Sequence, residues 1–197
     1  CMQERTLAPS WISLGGGSNG FQFAYYGYYR PDIIIGCLFP QIPMTVLIPV
    51  YALSSYLAAV LLMQLWLRMK GMTPYAAFFG SMLFLLAGCF FQTHRQIMFV
   101  NYMPFLCLTF FGIDRYFEQK KSGLLIGGTF LMIMTSFYFS IGGILALGLY
   151  GIYRYARTKE RAEEMITVKG FLGDGLRFAG RILTAIMLAG VLLVPTA

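Results

Sequence analysis

Charge is what this sequence has little of. Asp, Glu, Lys and Arg make up 12% of it, against about 25% in an ordinary soluble domain. It carries one histidine, His94, and its four cysteines, Cys1, Cys37, Cys89 and Cys107, have no metal-ligand spacing, so no metal or other cofactor is expected. Cys89 and Cys107 lie inside apolar runs and read as core residues, and a Cys1–Cys37 disulfide is an open pairing. The Gly15–Gly17 run lacks the flanking pattern of a phosphate-binding loop. No Asp, Glu, Lys, Arg or His falls in the middle of a long apolar run, which counts against an ion-coupled carrier. The chain opens at Cys1 and shows no secretory signal, which reads as the beginning of a segment rather than of a whole protein.

What is abundant is hydrocarbon. Hydrophobic residues reach 58% and mean hydropathy is +0.67, which makes this a membrane protein. The net charge of +7 is spread in short clusters between apolar runs. That pattern belongs to loops flanking membrane segments, not to a single basic face, so nucleic acid is not an expected partner.

The spans follow from the charge gaps. Residues 1–42 are rich in Gly, Tyr and Pro and read as an external, interfacial segment, with Ile33–Phe39 too short to cross. Five membrane segments are expected over residues 43–153: Pro43–Leu67, Tyr75–Thr93, Gln96–Ile113, Gly123–Ser136 and Ile141–Tyr153. Thr73 and Pro74 read as the N-cap and first position of the second. Residues 122–153 form a 32-residue stretch without a charge. As one helix it would be about 48 Å long, well beyond a hydrocarbon core of about 30 Å. A hairpin turning near Ser136–Gly143 is shorter and leaves Lys120, Lys121 and the Arg154–Arg161 cluster on one side. Residues 154–181 read as a basic loop in which glycines 170, 173 and 175 argue against a long helix, and residues 182–197 as a sixth segment. The Gly127–Gly128 and Gly142–Gly143 pairs read as close-packing points between helices. The fold class is therefore all-α, a polytopic transmembrane bundle of about six crossings in the cell membrane. Twelve Lys and Arg fall on one side and Arg5, Arg30 and Arg95 on the other, so the twelve-charge side is cytoplasmic. Arg154–Arg161 reads as a topology signal.

The polar island Gln92-Thr93-His94-Arg95-Gln96 then lies on the outer face, between two 17-residue apolar runs. Three stretches in their order resemble the YfhO family of bacterial membrane proteins: SLGGGSNGFQFAYYGYYRPDIIIGCLFP, LAGCFFQTHRQIMFVNYMPFLCLTFFGIDRYFEQKK and MTSFYFSIGG, with LLVPT closing the chain. The resemblance covers nearly the whole chain. It implies a glycosyltransferase of the GT-C type that takes a sugar from a polyprenyl-phosphate donor and delivers it to a cell-envelope polymer such as lipoteichoic acid. It also implies a catalytic carboxylate just after a first membrane helix. Glu4 and Asp32 are the acidic residues of the external segments, and neither matches that position, so the catalytic residue is not assigned and is expected upstream. For such a donor, Arg95 is the first phosphate-binding cation by its planar fork and Arg30 the second. His94 bonds phosphate or polarises an acceptor. Tyr25, Tyr26 and Tyr138 stack on sugar or anchor at the interface. Asn19 and Gln92 bond sugar hydroxyls or cap turns. A lipid or polymer carrier and a membrane scaffold without chemistry are the alternatives.

Overall fold

A computed structural model describes residues 11–12, 18–19, 30–86, 98–165 and 167–190. Two short strands, β1 (Trp11–Ile12) and β2 (Ser18–Asn19), pair antiparallel. Seven helices follow among the described residues: α1 (Pro31–Leu38), α2 (Met44–Met69), α3 (Pro74–Leu85), α4 (Met98–Gln119), α5 (Gly123–Thr135), α6 (Phe137–Arg161) and α7 (Val168–Leu188). The all-α expectation holds.

α2 is long and apolar enough to cross a membrane, the one such helix among the described residues. Its 26 residues rise about 39 Å. One face, Val46, Val50, Leu53, Leu57, Leu61 and Leu65, is exposed, while Ser55 and Ala59 are buried. Asn101, Thr109, Thr129 and Ser81 are buried too. Polar groups inside and aliphatic stripes outside reverse the soluble pattern and suit a lipid surround. α3 starts as its sequence predicts: Thr73 Oγ1 accepts from Ala76 N at 3.3 Å, with Pro74 first in the helix. The rest of that segment, beyond residue 86, lies outside the described residues.

α4 is the central helix, packed against α2, α5 and α6. Its closest neighbour is α5, and glycine sets the distance. A Cβ on Gly112 would sit 2.5 Å from the Leu125 backbone nitrogen, and one on Gly128 2.7 Å from Thr109 Cγ2. Backbones approach this closely only where side chains are missing. Of the two glycine pairs, Gly128 and Gly143 meet close neighbours, Gly143 against Met132 Sδ at 2.8 Å, whereas a Cβ on Gly127 or Gly142 would meet nothing. Cys107, buried, donates to Ala59 O across the α2–α4 contact, at 3.6 Å. Cys37 is a free, exposed thiol.

Three boundaries differ from the sequence reading. α4 continues six residues past Ile113, to Gln119, before Lys120 takes a left-handed conformation at φ 58°. α6 continues past Tyr153 to Arg161. Residues 154–181 are not one loop, because α7 runs unbroken from Val168 through glycines 170, 173 and 175 to Leu188. Charges end a hydrophobic span, but they do not end a helix. The glycines cost helix propensity of about 1 kcal/mol each, and α7 offsets this by burying Phe178, Ile182 and Ala185. The hairpin over 122–153 is present: Ser136 alone, in extended conformation, separates α5 from α6. Arg154 then returns to Glu118 and Asp114 at the end of α4, which a single straight helix could not do.

Candidate functional site

Buried polar groups gather at the two ends of this bundle. The first cluster sits where α2, α4 and α6 end. Asp114 is its hub. Trp66 Nε1 donates to its Oδ2 at 2.9 Å and the Tyr150 hydroxyl to its Oδ1 at 2.7 Å. Lys70 Nζ lies 2.5 Å and Arg154 Nε 2.7 Å from the same Oδ1. The Arg154 approach is an ion pair without hydrogen-bond angles, and its Nη2 donates to Glu118 at 2.6 Å. Trp66, Phe110 and Tyr150 form a mutual aromatic contact at 5.2–5.5 Å between centroids, and the Lys70 ammonium lies 5.4 Å from the centroid of the Trp66 ring. Arg154 is thus more than a topology signal. Every charge here has a counter-charge, so the cluster fastens three helices together, with Arg154 Nε held by charge alone. Further out, Lys159 beside Glu164 holds that exposed carboxyl below its ordinary range.

Further buried polar groups, the Arg30–Asp32 pair on α1 and Asn101 and Ser136 at the starts of α4 and α6, lie towards the opposite end. Pro31 starts α1, and Asp32 in its first turn is fully buried. Arg30 Nε donates to Asp32 Oδ1 at 3.0 Å while Nη2 takes Oδ2, a bidentate pair. α1 packs on the start of α2, where a Cβ on Gly36 would meet Met44 and Leu47. Asn101 on α4 is fully buried, and among the described residues neither its amide oxygen nor its nitrogen has a partner. Gly112 abuts Leu125 and Thr109 abuts Gly128, a register in which each step along α4 matches one step back along α5. Continued, it brings Asn101 to the level of Ser136, whose buried hydroxyl is also unpartnered among the described residues. An unmet buried polar group costs about 1–3 kcal/mol, so this end carries polar capacity that the described residues do not use.

Of the sequence-predicted site residues, Arg30 lies at this end, 9% exposed and already paired with Asp32. Tyr138 lies in the first turn of α6, 70% exposed, edge-on to Phe139 at 5.3 Å. Phe139 stacks on Tyr102 of α4 at 6.2 Å. The backbone of Asn19 pairs with Trp11 in the strand pair. Tyr25, Tyr26, Gln92, His94 and Arg95 lie outside the described residues. Asp32, Asn101 and Ser136 are residues that sequence reasoning did not select. The lone amide of IMFVNYMPFLCLTFFGI was the one available signal for Asn101. Among the described residues, no three His, Cys, Asp or Glu side chains converge as a metal site would need.

An all-helical bundle with aliphatic faces outside and polar layers inside defines a helical membrane protein. The family model described as bacterial membrane protein YfhO matches residues 5–197, and the chain belongs to that family. No curated protein and no solved structure matches it.

Proposed function

We propose that the protein is a GT-C-type glycosyltransferase that moves a sugar from a polyprenyl-phosphate donor to a cell-envelope polymer such as lipoteichoic acid, and that the donor meets the bundle at the Arg30–Asn101 end. The family membership supports the class. The observation that carries the site is Asn101, fully buried with both amide atoms unpartnered among the described residues, on the helix that follows Gln92–Gln96 in the sequence. A lipid-linked sugar brings hydroxyls for such an amide and a phosphate for a guanidinium. Arg95 is the first cation for that phosphate, because Arg30 is already neutralised by Asp32. In this reading His94, Gln92, Tyr25, Tyr26, Asn19 and Tyr138 complete the donor's contacts. Asp32 has both oxygens engaged by Arg30, which leaves it a positioning role, and the acid–base residue stays unassigned.

In this reading the chain crosses the membrane six times, with the Asp114 cluster cytoplasmic and the Asn101 cluster external. The sequence, with twelve Lys and Arg in the segments expected on the cytoplasmic side and three in those expected outside, supports that orientation. The test is transfer of labelled sugar from polyprenyl phosphate to lipoteichoic acid by the protein in vesicles. Label in the polymer is the expected result. No transfer, with intact donor passing across the bilayer instead, would replace the transferase with a carrier.

A further inference from the structure

The donor end is shut in this structure. Asn101 is 0% exposed, so its amide is beyond the reach of any solute unless the start of α4 moves. Whether it can move depends on how α4 is held along its length, and the hold is uneven. From Cys107 onward it is tight. Cys107 donates to Ala59 O, a Cβ on Gly128 would strike Thr109, Gly112 lies against the Leu125 backbone, and Asp114 takes two hydrogen bonds and two ion pairs from α2 and α6. Nearer the start, Tyr102 stacks on Phe139 at 6.2 Å, and Asn101 has no partner among the described residues.

Pro104 stands between the two parts. It has no N–H to give the Val100 carbonyl four residues back, and its ring crowds that carbonyl. The hydrogen-bond ladder of α4 is therefore already interrupted within one turn of Asn101, and bends in helices concentrate at such interruptions. α2 runs beside α4 in the same direction, as the Ala59–Cys107 and Trp66–Asp114 contacts show. It repeats the feature, with Pro49 in its second turn at the same end of the bundle. Among the described helices, these two alone carry a proline beyond the first turn. Opening also returns the Asn101 amide to water, which offsets part of the cost of parting Tyr102 from Phe139.

We infer that α4 is hinged at Pro104. Residues 98–103 swing away from α5 and α6 to admit the sugar–phosphate head of the donor to Asn101, then close on it. The remainder of α4 stays clamped by the Gly112 and Gly128 contacts and by the Asp114 cluster. The purpose of the motion rests on the donor reading; the motion itself is a property of the bundle. A two-state element of this kind ordinarily holds about 0.1–10% of its population in the minor, open state.

The experiment follows reaction of single cysteines with N-ethylmaleimide in the full-length protein in detergent micelles, with Cys1, Cys37, Cys89 and Cys107 replaced by alanine. Tyr138→Cys, at an exposed position, is the reference for an accessible thiol. Asn101→Cys should react about ten- to thousandfold more slowly, in proportion to the open fraction. Thr109→Cys, buried on the clamped side of Pro104, should react at least about tenfold more slowly again. Pro104→Ala restores the missing N–H and should slow Asn101→Cys by about tenfold or more, a part of the penalty proline carries inside a helix, with Tyr138→Cys unchanged. Pro104→Ser restores the same N–H and serves if the alanine variant does not fold. Pro104→Gly keeps a weak point in the helix and should leave Asn101→Cys faster than Pro104→Ala does. An inert Asn101→Cys, or a rate unchanged by folded Pro104→Ala or Pro104→Ser, would overturn the inference. So would Thr109→Cys reacting as fast as Asn101→Cys, since α4 would then open as a whole. These measurements need no donor, so transfer without opening fails the hinge alone, and opening without transfer fails the donor reading alone.

Discussion

Removing the Asp114 carboxylate should be among the most damaging single changes to this fold. Asp114 is 5% exposed and receives hydrogen bonds from Trp66 and Tyr150 and ion pairs from Lys70 and Arg154. In Asp114→Ala, Arg154 is left with Glu118, and Trp66 and Tyr150 lose an acceptor inside an aromatic cluster. Breaking a buried pair from one side costs about 3–5 kcal/mol. Lys70 is partly exposed and can turn to water, which places the expected loss near 3 kcal/mol, the lower end of that range. For a chain of this length that is a fall in melting temperature of roughly 6–12 °C. The assay is thermal unfolding in detergent micelles, with Asp114→Asn as the intermediate case and a Lys70→Met, Asp114→Asn cycle to isolate the pair. A melting temperature for Asp114→Ala within about 2 °C of wild type would refute the claim that this cluster fastens α2, α4 and α6.

Gly112→Ala should destabilise the α4–α5 contact, because its Cβ would fall on Leu125 backbone rather than on a flexible side chain; Gly127→Ala, with open space around it, should leave the melting temperature unchanged or raised. Asn101→Leu should stabilise the fold, since it removes an unsatisfied buried amide, while abolishing sugar transfer; a stable and fully active variant would remove Asn101 from the site. In intact cells, cysteines introduced as Gly20→Cys and Tyr138→Cys should react with an impermeant thiol reagent, while Lys120→Cys and Arg161→Cys should not. Labelling at Arg161→Cys from outside would reverse the orientation.

Hydrophobic patterning made the helices legible, and charge placement misplaced their ends. The Thr73-Pro74 start, the body of α2 and the break at Ser136 all follow from local chemistry that the sequence displays: a cap, an apolar run and a polar interruption. α4 and α6 outrun their predicted ends because Asp114, Glu118 and Arg154 are satisfied by one another across helices. That pairing depends on bundle register, which no local pattern reveals. α7 tolerates glycines 170, 173 and 175 for the same reason: Phe178 and Ile182 find partners on other helices. The candidate site divides in the same way. Arg30 and Tyr138 stand out in sequence as cation and aromatic at interfacial positions. Asn101 and Ser136 acquire meaning only when α4 and α5 are placed face to face.

The proposal that the Arg30–Asn101 end receives a phosphate-linked donor with Arg95 as its cation is tested most directly at Arg95. The measurement is binding of a polyprenyl-phosphate sugar to the membrane-embedded protein carrying Arg95→Ala or Arg95→Lys, with folding checked by thermal stability. A guanidinium paired with a desolvated phosphate is worth about 2–5 kcal/mol on removal, so Arg95→Ala should weaken binding roughly thirtyfold or more. Arg95→Lys should recover part of it, keeping the charge without the planar fork. Binding by a well-folded Arg95→Ala variant within about twofold of wild type, the range of an ordinary surface substitution, would contradict the account.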